Sequence, residues 1–309
     1  MILTITLNPA VDISYKLDRF SVDKVNRVEN VLKTAGGKGI NVAKVLAQLD
    51  EEVAAAGFLG GNLGEYIRSE IGSLAIKDYF VEIAGETRNC IAVIHNGQQT
   101  EILESGPTIS RSEADEFLKK FSEYIQRVEL VTISGSLPKG LPTDFYVTLL
   151  ENAHTSNKPV LLDTNGTLLK TTLANKHKPY LIKPNDEEVA DLLGEKSVNE
   201  MQIVEALGSP MFANIPWVVV TLGAEGAIVK HDQTIYHAQT SKVTAVNPVG
   251  SGDSVVAGFA AGIRQGLADE SLIKFGLAMG VLNAMEEKTG HIDVEKVDWT
   301  IKQINVKRI

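Results

Sequence analysis

The chain has 309 residues, 44% of them hydrophobic and 22% charged, enough to bury a large core as one big α/β domain or two unequal ones. A net charge of −9 excludes a nucleic-acid backbone as partner, since that demands a basic surface, but it leaves room for a small phosphorylated ligand held by a few local cations. The one cysteine, Cys90, excludes an internal disulfide framework and a cysteine-rich zinc site, and the six histidines form no His-Glu-x-x-His pair.

In chain order, the apolar run from Met1 to Leu7 has no basic leader and meets Asn8-Pro9, which predicts a first strand over 2–7 rather than a signal peptide. Further strands are predicted at 53–58, 128–134, 159–163, 180–183 and 217–222. Helical periods lie near 39–49, 63–74, 110–127, 142–155, 185–193, 254–266 and 269–287. This alternation predicts a mainly parallel sheet with helices on both faces, and ligands in such sheets sit beyond the carboxyl ends of the strands. Asn8, Ser134-Gly135-Ser136, Asp163, Lys183-Pro184-Asn185 and Gly223 all follow predicted strands, so one shared cleft is expected.

Two segments, 12–35 and 87–105, are extended and have no helix of their own. Ile91-Ala92-Val93-Ile94 alternates inward and outward, and Asn96-Gly97 suits a hairpin turn. They read as a small sheet forming a lid over a main domain of 1–11, 36–86 and 106–309; irregular surface loops are the alternative. No apolar stretch reaches the roughly 18 residues needed to span a bilayer, and the sequon Asn165-Gly166-Thr167 has no secretory context. A soluble, cytoplasmic protein is expected.

The chemistry concentrates at two glycine-rich junctions. In Asn247-Pro248-Val249-Gly250-Ser251-Gly252-Asp253-Ser254, a Gly-x-Gly turn entering a helix can present backbone N–H groups and the positive dipole end, with the Asp253 carboxylate at the edge. An anion hole beside a carboxylate suits phosphoryl transfer to an alcohol. The same residues also fit a surface turn whose aspartate caps a core helix. Neither the Walker A pattern nor the dinucleotide fingerprint is present: Gly37-Lys38 is followed by Gly39, and Val255 stands where a third glycine is needed. The second junction, Gly36-Gly37-Lys38-Gly39-Ile40-Asn41, lets a ligand approach the backbone closely and adds a cation and an amide.

These two motifs together resemble the signatures of the PfkB-type sugar kinases of the ribokinase-like superfamily, and the similarity runs end to end. It includes Asn8-Pro9-Ala10-Val11-Asp12, Thr87-Arg88-Asn89-Cys90, Ser134-Gly135-Ser136-Leu137-Pro138, Lys183-Pro184-Asn185 and Thr221-Leu222-Gly223-Ala224-Glu225-Gly226. Thr289-Gly290-His291 adds to a likeness with the phosphosugar branch.

The resemblance implies a three-layer αβα fold with a small β lid. It also implies transfer of the ATP γ-phosphoryl group to the 1-hydroxyl of a phosphorylated ketohexose, D-tagatose 6-phosphate foremost, in lactose and galactose breakdown. Fructose 1- and 6-phosphates are the alternatives. A non-catalytic phosphosugar or nucleotide sensor is the reading from another class. Asp253 would be the general base, and Gly250, Ser251 and Gly252 would form the anion hole. Asp12, Gly37, Lys38, Asn41, Arg88 and Ser136 would bind the sugar and its phosphate, with Arg27 a further candidate cation. Lys183, Asn185, Thr221, Gly223, Gly226, Gly252 and Asn283 would bind the nucleotide. Asn185 and Glu188 would organise Mg2+ through water, although Glu187 and Glu188 also read as ordinary charges at a helix start. Gly276 and Gly280 join Asn283 in an adenine pocket or serve close helix packing. Asn247-Pro248 stands where many ribokinase-like members have Asp-Thr, which leaves potassium dependence open. The lid's exposed edges and apolar faces suggest a homodimer formed through it.

Overall fold

The computed structural model describes residues 1–96, 98–240 and 243–309. Its main sheet is built outward from Ile2–Thr6, which pairs in parallel with Val53–Leu59 on one side and Leu130–Ser134 on the other. Val160–Asp163, Leu181–Ile182 and Trp217–Thr221 extend the parallel series. The sheet ends in three antiparallel strands, Ala227–His231, Thr234–Gln239 and Asn305–Arg308.

Every residue of Ile2–Thr6 and Val53–Leu59 is buried, as a parallel sheet covered on both faces requires. Side chains alternate between two cores. Ile2, Val53 and Ala55 face one core, together with Val45, Phe259 and Leu277 from helices Lys38–Gln48, Ser251–Arg264 and Asp269–Ala284. Leu3, Ile5, Ala54 and Phe58 face the other, with Phe117, Leu149, Leu169 and Val189 from the helices opposite. This gives the three layers expected.

The strands that sequence periodicity missed are these three antiparallel ones and two short parallel ones, Lys77–Asp78 and Val81–Glu82. The pair Ala227–His231 and Thr234–Gln239 turns at Asp232, which has φ 49°. The buried apolar run Ala227-Ile228-Val229 is only three residues long, Thr234–Gln239 mixes polar and apolar residues, and Asp232-Gln233 between them is no hairpin dipeptide. Helices Gly166–Ala174, Glu200–Leu207 and Val297–Lys302 are likewise additions to the sequence reading.

A separate four-stranded sheet runs in the order Val31–Gly36, Ala10–Leu17, Arg88–His95, Gln98–Leu103. Its central pair is parallel, joining strands far apart in sequence, and both outer pairs are antiparallel. Gly97 of the expected hairpin turn lies outside the described residues, but Asn96 before it has φ 50° and His95 pairs with Gln98. Among the described residues no helix is long and apolar enough to cross a membrane.

Candidate active site

The parallel strands end along one edge of the main sheet, where two glycine-led helices begin. Gly250 starts helix Ser251–Arg264 at φ 84°, and a Cβ there would lie 2.4 Å from Thr289 Cγ2, so conformation and space both call for glycine. No side chain caps this helix. The Ser251 N–H bonds to the Pro248 carbonyl at 3.2 Å, whereas the N–H groups of Gly252 and Asp253 have no partner among the described residues. Ser251 Oγ is also buried without a partner.

Asp253 lies in the first turn of that helix and is 6% exposed. Its Oδ2 accepts a hydrogen bond from Asn41 Nδ2 at 2.9 Å, across 212 residues of sequence. The two glycine-rich junctions therefore meet. Burial raises the Asp253 pKa to about 6, against the pull of Lys38 and with the push of Asp163. At neutral pH the carboxylate is ionised but more basic than an ordinary aspartate.

Asp163, at the end of Val160–Asp163, gathers the cations of the site, a role that reading of the sequence missed. It is 1% exposed and lies 3.3 Å from both Lys38 Nζ and Lys183 Nζ. Burial pushes its pKa up, but Lys183 and then Lys38 outweigh this and hold it below the usual value. Asp163 in turn raises Lys38 above the ordinary lysine range. Lys183 Nζ also lies 3.3 Å from where a Gly252 Cβ would stand, which puts a cation over the open helix start. An aspartate at a strand end has no local motif; only its two lysine partners reveal its part.

Toward the small sheet, the Asp12 carboxylate lies so close over Gly36 that a Cβ there would fall 2.1 Å from it. Burial raises Asp12 to a pKa of about 6, opposed by Lys44 and Arg88. Arg88 donates to the Asn8 carbonyl at 3.0 and 3.3 Å and to the Glu104 carbonyl at 2.8 Å, which pins the start of its strand to the main body. Gly37 has φ 109° and starts helix Lys38–Gln48 without a side-chain cap. Ser136 is exposed just beyond Gly135, whose missing Cβ would approach Lys38 Cβ at 3.9 Å. Arg27 is exposed in the segment before Val31–Gly36.

Among the residues expected to bind the nucleotide, several have local duties. Asn185 and Glu188 form a capping box: Asn185 Oδ1 accepts from the Glu188 N–H at 2.7 Å, and Glu188 Oε2 from the Asn185 N–H at 2.9 Å. Glu188 is half-buried and its pKa is raised by burial, with Asp163 adding to the rise. Thr221 ends its strand with its N–H on the Pro184 carbonyl at 3.0 Å, and so sits beside Asn185. A Cβ on Gly223 would meet open space, whereas one on Gly226 would lie 2.0 Å from the Ala238 carbonyl. Gly226 is therefore required by strand packing.

Asn283 is fully buried, and both its polar ends are occupied: Nδ2 donates to the Val249 carbonyl at 2.9 Å and Oδ1 accepts from the Gly290 N–H at 2.8 Å. These two bonds fix the loop before Gly250. Gly276 and Gly280 meet Phe259 and Val255 closely, so helix packing accounts for them.

Comparison with known proteins agrees with this geometry. Residues 5–296 match the family described as pfkB family carbohydrate kinase. Over 307 residues the chain is 49% identical to tagatose-6-phosphate kinase of Staphylococcus epidermidis, covering 99% of each protein. Among solved structures, phosphofructokinase-2 from Escherichia coli superposes with a TM-score of 0.88 at 24% identity, over 97% of this chain and 98% of that one. A Thermotoga maritima protein described as a possible 1-phosphofructokinase gives 0.88 at 25% identity, over 100% and 99%. With a family match over nearly its whole length and a curated sugar kinase at this identity, the chain belongs to the pfkB family of carbohydrate kinases.

Proposed function

We propose that the protein transfers the γ-phosphoryl group of ATP to the 1-hydroxyl of D-tagatose 6-phosphate, releasing ADP and D-tagatose 1,6-bisphosphate. The observation that carries this reading is the buried Asp253 carboxylate, held by Asn41 at 2.9 Å beside an uncapped helix start. The choice of sugar is supported by the 49% identical relative named for that substrate.

Asp253 Oδ2 is held by Asn41, which leaves Oδ1 to take the proton from the attacking hydroxyl. The new bond joins that oxygen to the γ-phosphorus, and the bond from phosphorus to the β,γ-bridging oxygen breaks. The unpartnered N–H groups of Gly252 and Asp253, with Lys183 above Gly252, stabilise charge on the phosphoryl oxygens. Lys38, Arg88 and Ser136 bind the sugar's existing phosphate, and Asp12 accepts bonds from sugar hydroxyls.

Mg2+ fits the oxygens here: Glu188 has one carboxylate oxygen outside its capping bond, and Asn185 Oδ1, which accepts the Glu188 N–H, keeps a second lone pair. When bound there through water, the ion would neutralise charge on the nucleotide phosphates. The small sheet would act as a lid, and the exposed Val31, Leu32, Ile102 and Leu103 on it favour a homodimer paired through the lid. A cytoplasmic setting follows from the substrates.

Steady-state turnover with tagatose 6-phosphate, fructose 6-phosphate and fructose 1-phosphate tests the assignment. Tagatose 6-phosphate should give the highest kcat/KM. A strong preference for fructose 1-phosphate overturns the sugar assignment, and no turnover with any of the three overturns the reaction.

A further inference from the structure

Lys44 is a buried cation that the phosphoryl-transfer scheme leaves without a task. It projects from helix Lys38–Gln48, one turn beyond Asn41, and is 8% exposed. Its stem lies under Gly290, where an added Cβ would come within 3.2 Å of Lys44 Cδ. Its ammonium donates to the Ala35 carbonyl, the one hydrogen-bond acceptor it has among the described residues, although the group carries three N–H donors. Burial lowers its pKa. Taking an ammonium out of water for one carbonyl is unfavourable, so packing alone does not account for it.

The groups around it show what the charge does. Ala35 pairs with Val11 in the small sheet, and the next residue, Gly36, lies under the Asp12 carboxylate. The Lys44 ammonium and the Asp12 carboxylate thus lie about the same stretch of chain, where Val31–Gly36 passes into the main body. The charges facing Asp12 are Lys44, Arg88 and Glu101; those facing Lys44 are Asp12, Glu70, Asp253 and Lys288. Lys44 opposes the effect of burial on Asp12 more strongly than Arg88 does, and the Arg88 guanidinium already donates to the carbonyls of Asn8 and Glu104.

We propose that Lys44 is a positioning residue that keeps Asp12 ionised and aimed at the sugar while tying the end of the lid strand to the main body. This inference rests on Asp12 binding the sugar, as assigned above. Asp12 accepts hydroxyl protons well only as a carboxylate, and without Lys44 it holds its own proton to higher pH.

Binding of tagatose 6-phosphate, measured by calorimetry from pH 5 to 8 without ATP, reads Asp12 apart from turnover at Asp253. The sugar's own phosphate titrates in the same range but does so equally for every variant, so the difference between profiles is the readout. Lys44→Met is expected to weaken binding about tenfold at pH 7, to move the acid limb to higher pH, and to raise KM more than it lowers kcat. Lys44→Arg should restore the limb. In an Asp12→Asn background, Lys44→Met should no longer move it. If Lys44→Met does not fold, Lys44→Gln keeps a donor for Ala35 without the charge and carries the same expectation. Unchanged binding in Asp12→Asn overturns the role of Asp12. Weakened binding in Asp12→Asn beside an unmoved profile in the neutral Lys44 variants overturns the role of Lys44 alone.

Discussion

Two kinds of helix start in this molecule contrast sharply. Arg111–Tyr124, Asp186–Leu193 and Glu200–Leu207 open with capping boxes in which Ser110, Asn185 and Asn199 bond the third residue of the helix and are bonded in return. Lys38–Gln48 and Ser251–Arg264 open instead at glycines in the left-handed region, with no side chain on their free N–H groups. A closed start is stable without help. An open one needs something else to hold it, and here Asn41, Asp253, Asp163 and two lysines supply the contacts. The difference separates amides already bonded within the fold from amides that, on the proposed function, would meet an anionic ligand.

The largest effect should come from the carboxylate within an open start. Asp253→Asn is expected to lower kcat by roughly 10²–10⁴ while substrates still bind, as coupled-assay kinetics beside calorimetry would show. Near-normal turnover would remove Asp253 as the base. The same change should stabilise the fold at pH 8. The folded pKa of about 6 lies above the ordinary aspartate value of 3.8, so the favourable contribution of the protonated form is complete below the lower value and lost as pH rises through the upper one. Asparagine removes that loss, by about 3 kcal/mol at most, and urea melts at pH 4 and pH 8 should differ accordingly.

Next comes the charge that organises both open starts. Asp163→Asn leaves two cations without their shared partner, one of them buried, and should cost roughly 3–5 kcal/mol in urea unfolding. Both KM values should rise together, because Lys38 faces the sugar end and Lys183 the open helix start. A rise in only one of them would separate the two halves of the site. The smallest effect tests a closed start. Asn185→Ala should cost about 1 kcal/mol by loss of the cap. If Asn185 also helps to hold Mg2+, the concentration of Mg2+ needed for half-maximal rate will rise as well, and an unchanged requirement leaves it a cap alone.

Much of this was legible in the sequence, and what was missed has physical causes. Glycines at Gly37 and Gly250 are readable because few residues adopt their backbone conformation, and Lys38, Asn41 and Asp253 travel with them in short motifs. Asp163 was placed at the cleft by its strand end, but neither its part there nor that of Lys44 was legible. Each is a single charge in an ordinary strand or helix, and its meaning comes from partners distant in sequence. The backbone bonds of Asn283 were hidden for the related reason that an amide in a helix shows its composition but not the two backbone groups it bonds. The antiparallel strands after Thr221 were missed because their apolar runs are short and no hairpin dipeptide joins them. Asn185 to Glu188 allowed two readings from the start, and the structure shows the capping bonds while the metal assignment awaits the Mg2+ titration.

The parallel pairing of Ala10–Leu17 with Arg88–His95 also bears on the order of folding. Those strands can meet only after the chain between them, which includes helices Lys38–Gln48 and Gly61–Ser73 and strand Val53–Leu59, has closed into a compact loop. A contact so distant in sequence forms late, when the closure entropy has already been met by the main sheet. Truncating Val93, buried on Arg88–His95, should therefore speed unfolding in stopped-flow measurements and leave refolding nearly unchanged. On that order of events, the small sheet is the last part of the protein to be made and the first to be lost.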